Sequence, residues 1–138
     1  MKPYEHKVQY YETDAMGIVH HSNYIRWFEE ARCDLLEQMG FGYRKMEEEG
    51  VIIPVLSVAC TYKTMVRFED TVVILPSITE FNGLKFKVTY EIRDAKTNEL
   101  RTTGESTHCF LSRNYAPIRL KKEYPHIYTL FNNMMSTN

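Results

Sequence analysis

Residues 85–93 alternate without a break. Phe86, Val88, Tyr90 and Ile92 are apolar, while Lys85, Lys87, Thr89, Glu91 and Arg93 are polar. A period of two over this length reads as a β-strand with one dry face and one wet face. Asn82-Gly83 stands just before it, after a second β-rich run at 71–81. Asn-Gly is a strong hairpin signal, because both central positions of the tightest hairpin turn need positive φ. Residues 94–99 supply a further turn, and 100–112 a last long strand. The chain therefore contains an antiparallel meander, and its apolar face must be covered by something.

The cover lies upstream, where the period changes. Tyr24, Phe28, Ala31, Leu35 and Met39 recur at helical spacing, with Ile25, Arg32 and Leu36 beside them. Ser22 or Asn23 is the expected N-cap, and Gly40 and Gly42 stop the helix. At 1.5 Å per residue the helix is roughly 25 Å long, close to the reach of an eight-residue strand. Before it, Val8, Tyr10 and His6 suggest a first strand. After it come a short helix at 43–49 and a strand at 51–62, with Pro54 near its start. A C-terminal helix is expected over 120–134, its first turn limited by Pro125. The fold class is α+β: one long helix against an antiparallel five-stranded sheet.

The 138 residues suit one domain, 1–138, large enough for its own core. Hydrophobic residues make up 43% and aromatics 13%, which argues against disorder. No apolar run approaches the ~20 residues that span a bilayer, and residues 1–11 lack an apolar signal region. The expectation is a soluble, cytoplasmic protein with no membrane insertion. A net charge of −1 gives no basic field for nucleic acid. Cys33, Cys60 and Cys109 are odd in number and far apart, so they read as core thiols and not as a disulfide framework.

Several chemistries fail on inspection. Gly104-Glu105-Ser106-Thr107-His108 lacks the second glycine of a nucleophile elbow and lies within a strand pattern. His108 and Cys109 are adjacent on that strand and face opposite sides. Gly40-Phe41-Gly42 ends a helix where a dinucleotide site would open one. His20 and His21 are neighbours, which is not ligand spacing on a helix, and no Cys-x-x-Cys is present. Neither a metal nor a cofactor is expected.

The informative stretch is Tyr10-Tyr11-Glu12-Thr13-Asp14-Ala15-Met16-Gly17-Ile18-Val19-His20-His21-Ser22-Asn23-Tyr24. It gathers acids, two histidines and a glycine in the loop before the long helix. A helix N-terminus offers unpaired N–H groups and the positive end of a dipole, which suits a developing oxyanion. A carboxylate nearby could attack or position water. Taken singly, each residue has an ordinary structural use. Asp14 could bond local N–H groups, His21 could start a helix, and Tyr10 could fill a core.

Tyr10, Thr13, Asp14, Ala15, Gly17, Val19, His21 and Tyr24, continued by Phe28, Glu30, Ala31 and Arg32, resemble the signature of hotdog-fold thioesterases of the 4-hydroxybenzoyl-CoA type. The likeness is nearest to the Tol-Pal-associated acyl-CoA thioesterase branch. Tyr62, Arg67 and Asp70 match a second, weaker pattern, and the resemblance runs from about residue 8 to 112. Three positions depart from it: Glu12 where Asp is common, Met65 where proline is usual, and Met16 where the residue is often small. Met16 is expected to reshape the acyl entrance.

The resemblance implies a sheet wrapped around the helix and hydrolysis of acyl-CoA to free acid and coenzyme A. It gives the catalytic carboxylate to Asp14. His21 would orient water or the thioester, Tyr10 would bond Asp14 or line the pocket, and a backbone N–H near Tyr24 would polarise the thioester carbonyl. Arg67, Lys85 and Arg113 are candidates for the coenzyme A phosphates. A homodimer joined edge to edge, or a homotetramer of such dimers, is also implied. Three other readings stay open: a hydratase or dehydratase on the same fold, a non-catalytic acyl-CoA binding module, and an acyl-carrier-protein thioesterase.

Overall fold

The computed structural model describes residues 2–137. Strands β1 (Tyr4–Lys7), β2 (Val55–Tyr62), β3 (Thr71–Phe81), β4 (Lys85–Asp94) and β5 (Leu100–Cys109) form one antiparallel sheet in the order β1-β3-β4-β5-β2. The meander β3-β4-β5 is its centre. Helix α1 (Ser22–Gln38) lies across the inner face, and α2 (Tyr43–Glu48) follows it.

The apolar stripe of α1 explains its seat. Tyr24, Trp27, Phe28, Ala31, Leu35 and Leu36 are all buried, as are Val72, Ile74, Ile78, Phe86, Val88, Tyr90 and Ile92 on the strands. Phe28 stacks on Tyr90 with ring centroids 4.3 Å apart. Opposite Tyr90 in the register is Gly104, and a Cβ there would overlap the Phe28 ring. Glycine on β5 is what lets the helix approach this closely.

The C-terminal segment differs from a single helix. It breaks into α3 (Leu120–Glu123) and α4 (Pro125–Thr137), with Tyr124 at φ −139° and ψ 64°. A residue before proline is pushed out of the helical region, so Pro125 restarts the helix instead of merely limiting it. Phe131 of α4 packs on Phe86 and Phe110 and extends the core past the end of α1. The Asn82-Gly83 hairpin also forms, but through a longer turn. Only Gly83 has positive φ, at 86°, and Asn82 Oδ1 accepts from the N–H groups of Leu84 and Lys85 at 2.9 and 2.8 Å.

One polar chain crosses this core. Arg32 on α1 donates to Tyr43 Oη (2.8 Å) and Tyr90 Oη (2.9 Å). Tyr90 Oη meets Ser106 Oγ at 2.7 Å, and Ser106 Oγ meets His108 Nε2 at 2.7 Å. A serine and a histidine are thus paired within the strand that lacks an elbow. Both are essentially unexposed, so the pair is a fixture of the core. Burial, and after it the Arg32 charge, press the His108 imidazole down to about 4.

That depression couples stability to pH. A His buried neutral binds fewer protons folded than unfolded, so its contribution is complete above the unfolded value near 6.5 and is lost as pH falls toward 4. Its size is about 3 kcal/mol. Urea melts should show stability falling between pH 6.5 and 4, and His108→Gln should flatten that slope. The Glu12 and Asp94 carboxyls, both held below their ordinary values, lose their contributions only at lower pH. An unchanged slope in the variant would refute the assignment.

Candidate active site

The first strand ends sooner than the alternation of Val8 and Tyr10 suggests. Residues Tyr10–Glu12 turn into a single 3₁₀ turn, closed where Gln9 N–H donates to Glu12 Oε1 at 2.8 Å. Tyr10 therefore points to the surface, 77% exposed, and packs edge-on against Phe68.

From Glu12 the chain makes a small closed loop. Thr13 bridges Val19, Asp14 N–H donates to Ile18 O (2.9 Å), and His20 N–H donates to Glu12 O (2.9 Å). Gly17, at φ 75°, supplies the left-handed residue that turns it. The loop is tied to the segment after β2: Val19 N–H donates to Val66 O at 2.8 Å, and Ile18 bridges Arg67. Asp14 sits partly exposed on this loop, and Met16 N–H donates to its Oδ1 at 2.8 Å.

The start of α1 completes the site. His21, not Ser22 or Asn23, is the N-cap, and it has helical angles with no side-chain cap. His20 does the capping instead: Ser22 N–H donates to its Nδ1 (3.2 Å) and Asn23 N–H to its carbonyl (3.0 Å). Tyr24 N–H reaches His21 O only at a long 3.4 Å, so it is the first-turn donor most easily shared with another oxygen. Tyr62 Oη also donates to His21 O, at 3.2 Å. Burial holds the Tyr24 phenol above its ordinary value, and it stays neutral.

A pocket of about 280 Å³ opens here, lined by Ile18, Val19, His21, Tyr24, Tyr62 and Met65 among others. Tyr24 and Tyr62 meet edge to face at 4.9 Å and form an aromatic wall. Met65, at the position where proline was expected, is part of the lining. Met16 is not, since it points to solvent at 73% exposure.

The three basic candidates are not brought together within one chain. Arg67 is exposed beside the Asp14 loop. Lys85 lies at the other end of the sheet, where it pairs with Cys109. Arg113 donates to the carbonyls of Glu47 and Glu48, both at 3.0 Å, and so closes the C-terminus of α2.

Sequence reasoning passed over Tyr62 as a donor to the helix cap and Glu12 as a buried group. The bare signal for Glu12 was its place two residues before Asp14, inside the motif.

A family model of the thioesterase-like superfamily matches residues 8–123. The chain is 36% identical over 128 residues to a putative acyl-CoA thioesterase, YneP, of Bacillus subtilis, covering 92% of each. It is 30% identical to the acyl-CoA thioester hydrolase YbgC of Escherichia coli, over 84% of this chain and 87% of that one. Among solved structures, a DHNA-CoA thioesterase from Staphylococcus aureus superposes with a TM-score of 0.92 at 32% identity, covering 99% of this chain and 91% of the other. A five-stranded antiparallel sheet around a long helix, the motif loop at its N-terminus and these similarities agree over most of the length, and the chain belongs to the thioesterase-like, hotdog-fold superfamily.

Proposed function

We propose that the chain hydrolyses acyl-CoA thioesters to a free acid and coenzyme A in the pocket beside the Asp14 loop. The observation that carries this reading is convergence. The loop that carries the Asp14 carboxylate supplies Ile18 and Val19 to the lining of a compact, mostly apolar pocket, and the start of α1, with its loosely held N–H at Tyr24, supplies His21 and Tyr24. The names of the similar proteins point to the same chemistry.

In this mechanism the acyl group enters against Tyr24, Tyr62 and Met65, and its carbonyl oxygen takes over the Tyr24 N–H. Asp14 either attacks the carbonyl carbon, giving a mixed anhydride that water opens, or holds the water that attacks. His21 orients that water or the thioester. In both routes a C–O bond forms and the C–S bond breaks. The departing thiolate has a conjugate-acid pKa of about 8.5 if it behaves like cysteine, so it leaves with little help from a general acid.

The active unit is a homodimer joined through β2. That strand, Val55–Tyr62, carries no charge, proline or glycine, and Val55, Leu56, Val58 and Tyr62 are exposed along it. The opposite edge, β1, is four residues long and carries Glu5 and Lys7. Sheet edges are normally protected in just that way, and an unprotected one calls for a partner strand. Antiparallel pairing of two β2 strands about a two-fold axis sets the partner's Val55 and the partner's Leu56 beside Tyr62. It also brings the partner's Lys85 to the same end as Arg67, where the coenzyme A phosphates would lie.

The test is thiol release from short, long and aromatic acyl-CoAs. Turnover of any of them supports the reading and identifies the acyl class. No release from the panel, with tight binding retained, favours the non-catalytic module. Release only from carrier-protein thioesters favours the carrier enzyme.

A further inference from the structure

We infer that Glu12 is a positioning residue, whose buried carboxylate fixes the base of the loop that carries Asp14. This rests on the reading of Asp14 as the catalytic carboxylate and adds a group that does not touch substrate.

Glu12 is 4% exposed, which is unusual for an acid. Its side chain is fully engaged on both oxygens. Oε1 accepts from Gln9 N–H at 2.8 Å and lies 2.8 Å from His6 Nε2, while Oε2 accepts from Trp27 Nε1 at 2.6 Å. Burial by itself would raise its pKa. The Gln9, His6 and Trp27 donors outweigh burial and hold the carboxyl below its ordinary range, so the group is an anion at neutral pH.

The backbone of the same residue is also clamped. Glu12 O accepts from Asn23 Nδ2 (2.8 Å) and from His20 N–H (2.9 Å). One residue therefore joins β1 through His6, α1 through Trp27 and Asn23, and the far side of the loop through His20. Trp27 and Asn23 are themselves buried, so the anchor points cannot drift.

Asp14 has no comparable support of its own. Its carboxylate accepts from Met16, a neighbour within the loop, and among the described residues nothing outside the loop fixes the side chain directly. Where Asp14 stands relative to the pocket is then set by the loop's base, and Glu12 is the part of that base locked by side-chain bonds. A misplacement of about 1 Å can cost roughly 100-fold in rate.

The experiment is a double-mutant cycle on thiol release, with kcat and KM measured separately. Glu12→Gln keeps the shape and removes the charge. It is expected to lower kcat roughly 30-fold and leave KM within about 3-fold. In the Asp14→Asn background the same change should cost less than about 3-fold, because Glu12 acts through Asp14. A merely structural residue would lower both backgrounds equally. Trp27→Phe deletes the N–H donor and keeps a ring, and should show the same non-additivity at a smaller amplitude if Glu12→Gln fails to fold. A kcat within about 2-fold of wild type in Glu12→Gln, or equal losses in both backgrounds, overturns the inference. Full turnover by Asp14→Asn alone instead overturns the reading beneath it.

Discussion

Asp14→Asn is expected to lower kcat for thiol release by ~100-fold or more, about 2.7 kcal/mol of transition-state stabilisation, while the melting temperature stays within about a degree of wild type. Two features of the loop make the separation clean. The only hydrogen bond to the side chain among the described residues comes from Met16 N–H to Oδ1, and asparagine retains that oxygen. The other bonds of Asp14 itself are backbone bonds, from Asp14 N–H to Ile18 O and from Gly17 N–H to Asp14 O, which the substitution leaves alone. The change therefore removes the carboxylate charge without removing a fold contact. KM should move little, because the pocket is lined by Ile18, Val19, His21, Tyr24, Tyr62 and Met65 and not by Asp14. Stopped-flow or steady-state thiol detection together with thermal melts gives both numbers. A variant that keeps a third of wild-type turnover would move the chemistry elsewhere, with His21 the next residue to change.

The strands and the long helix were legible because burial follows a short period. Phe86 to Ile92 alternates because one face of β4 lies under α1, and Tyr24 to Leu36 recurs at three and four because one face of α1 lies on the sheet. The same logic overreached at Tyr10. Val8 and Tyr10 share a parity, but Gln9 N–H bonds the Glu12 carboxylate, and this local bond turns the chain out of the sheet. Asn82-Gly83 correctly gave a hairpin and not its turn, because Asn82 spends its side chain on two N–H groups and takes no left-handed angle itself. The site was legible as a motif and less so as a geometry. An acid is exposed by default, so only the tertiary approach of Trp27 reveals Glu12 as buried. Likewise, the Arg32–Tyr90–Ser106–His108 chain joins α1 to the β4-β5 hairpin, 58 residues on from Arg32 to Tyr90, and no local pattern announces it.

Val58→Asp is expected to weaken the proposed β2-paired dimer by roughly a thousandfold or more, about 4 kcal/mol, with activity falling at enzyme concentrations below the new dissociation constant. Val58 lies near the middle of β2, opposite Ser106 in the register, and is 39% exposed in the single chain. In the proposed dimer, antiparallel pairing about a two-fold axis would place the middle of one β2 against the middle of the other, so a substitution there would be made twice and meet itself. The two introduced carboxylates would face each other in an interface where Val55, Leu56 and Val58 would otherwise bury apolar surface. Like charges so placed cost several kcal/mol, and the lost burial adds to that. The fold of each chain should survive, because Val58 already lies at the sheet's open edge and its backbone pairing with β5 needs no particular side chain. Sedimentation velocity at a series of concentrations separates monomer from dimer, and circular dichroism checks the chain. Activity that returns as concentration is raised would mark a pocket completed by the partner's strand. Full activity in a variant that sediments as a monomer would make Tyr62 and Met65 a complete wall by themselves, and β2 would then pair for stability alone.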